Sequence, residues 1–95
     1  MSLDVNQVKS TLQRELDTLQ RIAEQLRLQA SLARAELKSE LDRLEAKLSR
    51  AQEEVLRLGE HVKAPLHEIE SAVRALLVEV RAGFEQLRNA FENPN

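Results

Sequence analysis

Ninety-five residues make one domain's worth of chain, so a second independently folding unit is not expected. The chain has no Cys, Trp or Tyr and only two Phe, two Gly and two Pro. That removes the packing residues and corners of a sheet, along with disulfides and thiolate metal sites. The net charge of −2 is evenly spread: ten basic and ten acidic groups over residues 1–58, then four and six over 59–95. No segment forms a basic footprint for nucleic acid.

Asp4, Asn6 and Lys9 interrupt the start before the apolar core of a signal peptide is reached, and no apolar run approaches 18 residues. A membrane role is therefore not expected, and the cytoplasm is the expected location. Asp4 with Gln7 three residues later has the spacing of a capping box. From Leu12 the apolar positions fall at Leu16, Leu19, Ala23, Leu26, Ala30, Ala33 and Leu37, alternating steps of four and three, which is a coiled-coil seam. A second four-residue step leads to Leu41, and the alternation resumes through Leu44, Leu48, Ala51, Val55 and Leu58. No Gly or Pro interrupts this run, so it predicts one helix over residues 4–58, about 80 Å long, with a stutter near position 39.

Gly59 suits a helix C-terminus and Pro65 the first turn of a new helix, which places a turn at residues 59–64. A second helix over 65–92 carries Leu66, Ile69, Val73, Leu76, Val80, Phe84, Leu87 and Phe91, with its own stutter around Val80. In an antiparallel hairpin, facing residues have numbers that sum to a constant, and paired helices should place their stutters side by side. Stutters near 39 and 80 give a sum of 119 and a turn centred beside Gly59. The predicted fold is an all-α, single-domain (1–95), long antiparallel two-helix coiled-coil hairpin, dimerising into a four-helix arrangement. The alternative is a three-helix bundle with the first helix cut near Gln29 to Ser31. Against that cut, Arg27-Leu28-Gln29-Ala30 are helix formers, and Ser31 has Arg34 where a capping box needs Glu or Gln.

In the hairpin, residues 3–27 lack an intramolecular partner, yet carry Leu12, Leu16, Leu19, Ile22 and Leu26 on one face. These side chains, with Leu77 and Val78 from the widely apolar stretch Ala72 to Phe84, are the predicted interface of a homodimer. Gly83, costly inside a helix, predicts a close helix crossing beside Phe84.

No residue is assigned a catalytic, cofactor-binding or metal-ligating role. His61 and His67 lie six residues apart, a spacing that does not converge on one metal, and read as solvated. Acidic pairs such as Glu53-Glu54 and Glu36/Glu40 read as helix surface, because a rod offers no cleft to raise a carboxylate pKa. Asp17 with Arg21, Glu53 with Arg57 and Glu70 with Arg74 have the spacing of helix-stabilising ion pairs. The expected function is non-catalytic: self-association or helix-mediated protein–protein interaction. The alternatives are an adaptor or chaperone that takes a partner helix along residues 3–27, and amphipathic binding to a lipid surface. Lipid binding is disfavoured by two aromatics and a balanced polar face.

The stretches Leu32-Ala33-Arg34-Ala35-Glu36-Leu37-Lys38-Ser39-Glu40-Leu41, continuing to Leu44-Glu45-Ala46-Lys47, and Leu76 to Arg88 cover about a third of the chain. In them the sequence resembles a group of small uncharacterised bacterial helical-hairpin proteins. The resemblance implies a helical hairpin and brings no activity, cofactor or binding residue. Pro65 and the N-terminal overhang depart from that pattern.

Overall fold

The computed structural model describes residues 5–31, 34–58 and 66–92, and these form three helices with no strand among them: α1 Val5–Ala30, α2 Ala35–Arg57 and α3 Leu66–Glu92. All three pairs of helices pack against one another in a body of 50 × 20 × 17 Å. The molecule is thus a three-helix bundle, the alternative to the two-helix hairpin, and its long axis falls well short of the rod that an unbroken 4–58 helix requires. Asp4, Gly59, His61 and Pro65 lie outside the described residues, as does the turn expected at 59–64.

The first expected helix ends at Ala30 and restarts at Ala35. Arg34 has extended backbone (φ −64°, ψ 151°) and supplies no side-chain cap, while its carbonyl accepts from the amides of Leu37 and Lys38. Ser31 Oγ donates back to the carbonyl of Leu28 at 2.9 Å. Arg34 therefore starts α2 without a side-chain cap, and tertiary packing supplies the reason for the break. An unbroken helix would leave Leu12, Leu16, Leu19 and Leu26 in water, at roughly 1.5–3 kcal/mol each, against about 1 kcal/mol for each helical hydrogen bond given up at the break. In the bundle all four are at most 1% exposed, and Ile22 is half-buried against them. The stripe expected to wait for a second chain is covered by α2 and α3 of its own. Ion pairs then hold the return: Arg27 Nη2 reaches Asp42 at 2.7 Å and Glu45 at 2.6 Å. At the far end Lys9 Nζ donates to the carbonyl of Leu58 at 3.3 Å, placing a cation where α2 ends and its dipole is negative.

The apparent stutter at Leu37 and Leu41 is accordingly a change of helix. Both residues face inward, Leu37 half-buried and Leu41 fully buried, but they belong to α2 and restart the count after the turn. In α3 the buried seam is Val73, Leu77, Val80, Phe84 and Leu87, so Leu77 takes the inner place expected of Leu76, which is half-buried. With neither stutter where expected, the register sum of 119 fails. Lys47 pairs with Glu79 and Leu44 faces Gly83, so facing numbers in α2 and α3 sum to 126 or 127. The error is about one heptad, the interval over which a seam repeats and over which its periodicity is blind.

The crossing expected at Gly83 is present, with α2 as the neighbour. A Cβ added there would lie 2.6 and 2.7 Å from the two δ carbons of Leu44 and 3.2 Å from its Cγ. Leu44 is 1% exposed and has little space into which to retreat.

Three measurements test this fold. Deleting residues 1–27 removes Val8, Leu12, Leu16, Leu19, Ala23 and Leu26 from the core. Cooperative thermal unfolding followed by circular dichroism should be lost, whereas a two-helix hairpin would keep it. Leu44→Glu should cost several kcal/mol and Arg43→Glu, at an exposed neighbour, under about 1 kcal/mol; equal losses would refute the packing of α2. Gly83→Ala should destabilise by about 1 kcal/mol, as overpacking against Leu44 outweighs the gain in helix propensity. In a Leu44→Ala background the same change should turn stabilising, because the obstructing side chain is gone. Denaturant titration of the four proteins in this cycle reads both signs.

Candidate interaction surface

The inner faces of the helices offer no chemistry. Among the described residues every buried one is apolar, and no buried side-chain nitrogen or oxygen lacks a hydrogen-bond partner. Among the described residues no group of three or more His, Cys, Asp or Glu is placed to hold a metal ion, and no helix is long and apolar enough to cross a membrane. His67 is exposed in the first turn of α3. Glu53 and Glu36 are exposed, while Glu54 and Glu40 are half-buried and bonded to Arg57 and Arg43. Of the three ion pairs expected along the helices, Glu70 with Arg74 is present at 2.9 Å. Arg57 takes Glu54 instead of Glu53, and Asp17 accepts from Gln13 at 3.1 Å.

Polar and charged side chains also clasp one helix to another. Beside the Arg27 pairs, Gln20 of α1 donates to Gln52 of α2, and Lys47 of α2 to Glu79 of α3. The hydrogen bond from Lys47, and then its charge, hold the Glu79 carboxyl below its usual range. The Arg27 guanidinium is raised by its bonds to Glu45 and Asp42, and Arg43 by its bond to Glu40. Because Glu79 is lowered in the folded chain, its contribution is present above the ordinary carboxylate range and fades as pH falls through the lowered value.

The predicted interface residues divide between inside and outside. Leu12, Leu16, Leu19, Leu26 and Leu77 are core, and Ile22 packs against that core, so none of these offers an open surface. Val78 is different: it is 69% exposed, one of three exposed large aliphatics among the described residues, with Leu28 and Leu56. Leu28 lies at a shallow groove between α1 and α2 beside Arg27 and Glu45, and Leu56 is on α2 near its end. Val78 has company. Ser71, Ala75, Val78 and Ala82 follow steps of four, three and four, all exposed, on the side of α3 opposite Val73, Val80 and Phe84. Arg74, Arg81 and Arg88 recur at intervals of seven along one flank of this stripe, and Glu79 lies along the other. A groove against α1 runs beside the arginine flank, lined by Glu15, Arg74, Val78 and Arg81 among others. The breadth of the apolar stretch Ala72 to Phe84 thus resolves into two seams on one helix: one inside, one outside. The sequence carries that signal, but in a two-helix hairpin the uncovered residues 3–27 take the larger role.

Comparison with models of known protein families, with curated protein sequences and with solved structures finds no match in any of the three.

Titration of the Glu79 side-chain carbon by NMR should give a pKa below that of an ordinary glutamate, and Lys47→Met should return it there; an unchanged value in the variant would remove Lys47 as the cause.

Proposed function

We propose that the chain is a non-catalytic interaction module, a bundle that closes its own core and meets another helix with the outer face of α3. One observation carries this reading: Ala75, Val78 and Ala82 form a seam with coiled-coil spacing that no element of the chain covers among the described residues, while every other long apolar stripe is consumed internally. Small residues suit such a role, because they let a second backbone approach closely. Scattered exposed aliphatics are ordinary on a soluble surface; a periodic row of them along one helix is the less common observation.

The rival readings rest on the α1 stripe. An adaptor or chaperone that takes a partner helix along residues 3–27 would have to displace α2 and α3 from Leu12, Leu16, Leu19 and Leu26. Lipid binding by the apolar faces requires the same opening, at the cost of the whole core. Both are disfavoured by the magnitude of that burial.

A photoreactive amino acid placed at Ala82 should form covalent adducts in cells of the native host, and one at Arg14, exposed on α1, should not. Adducts from Arg14 alone, or from neither position, would overturn the reading. The mass of the Ala82 adduct separates a second copy of this chain from another protein.

A further inference from the structure

We infer that the occupant of the outer α3 seam is a second copy of the same chain, with the two α3 helices parallel. The inference rests on the interaction reading above and adds the partner and its direction. Charge decides both. Placing Ala75 and Ala82 at one seam position of the heptad and Ser71 and Val78 at the other puts Arg74 and Arg81 on one shoulder and Glu79 on the opposite shoulder.

In a parallel pair, the shoulder of one helix faces the opposite shoulder of its partner, five residues further on. Arg74 of each chain then meets Glu79 of the other, twice by symmetry. In an antiparallel pair like shoulders meet, bringing arginine against arginine and Glu79 against its own copy, and like charges repel. The same surface thus matches itself in one direction and opposes itself in the other.

The contacts already made by these side chains are compatible with the pairing. Arg74 binds Glu70 through Nε, and a guanidinium has further N–H donors at its Nη atoms. Glu79 takes Lys47 on Oε1, and a carboxylate accepts on both oxygens. Glu68, seven residues before Ala75, and Glu85, three after Ala82, take the seam positions on either side, where two copies would meet as like charges, so the seam runs only from Ser71 to Ala82. About three turns of helix remain, well below the roughly 800 Å² per partner of a standard stable interface, which makes a weak and reversible dimer.

Sedimentation of the full chain should show monomer giving way to dimer between about 10 μM and 1 mM, the range a contact of this size supports. Val78→Glu should abolish the dimer while circular dichroism retains the helical signal, since Val78 is outside the core. Arg74→Glu or Glu79→Arg should each raise the dissociation constant roughly tenfold, by turning two attractive contacts repulsive. The double variant should restore it. A tighter dimer in Arg74→Glu would mean antiparallel helices, overturning the direction while leaving the interaction surface intact. A chain that stays monomeric at about 1 mM would overturn the second copy; adducts of Ala82 with another protein would then preserve the interaction reading.

Discussion

The structure depends on covering one apolar stripe. Val8, Leu12, Leu16, Leu19, Ala23, Leu26 and Ala30 run along α1 for nearly its whole length, and all become buried. A stripe of that length needs a groove of equal length, which α2 and α3 provide together: each helix has 23 to 27 residues, so the three match end to end. Everything else follows from that match. The chain must reverse after Ala30, although its residues there favour continuing, and Arg27 with Asp42 and Glu45 then ties the reversal down.

Within this frame the side chains at the helix contacts settle the register. The seam repeats every seven residues, so apolar spacing allows several pairings of α2 with α3 that differ by a heptad. Size and charge select among them. Leu44 needs the space above Gly83, the one position in α3 where a helical side chain is absent, and Lys47 meets Glu79 one turn along. A glycine that lowers helix propensity by about 1 kcal/mol thereby gains a packing role that no larger residue fills without displacing Leu44.

Helical class, the identity of most core positions and the crossing at Gly83 were legible in the sequence because they rest on periodicity and volume. The break at Ser31 and Arg34 was not. The signal there was an extra four-residue step, which is what a stutter in one helix and a phase reset between two helices both produce. Local propensity argued for continuity, since Arg27 to Ala30 are good helix formers, and it was outweighed by long-range burial. The coincidence of two stutter positions with Gly59 lent the hairpin an agreement that the packing does not share. A cut near Gln29 to Ser31 was the stronger sign of three helices, because it yields helices of 26, 23 and 27 residues that match in length and so meet the covering condition directly.

That correction also moves the outward-facing chemistry from one helix to another. In a two-helix hairpin the uncovered leucines of residues 3–27 account for association and the second seam of α3 is subsidiary. Once α1 is enclosed, Ala75, Val78 and Ala82 are the periodic apolar row left outside, and their flanks carry opposite charge. A helix in an isolated bundle needs one apolar face; a second one in register, edged by arginines at heptad spacing, has no part in the internal packing. Residues that the fold does not use, at a spacing that a second helix would use, are the observation on which the proposed interaction rests.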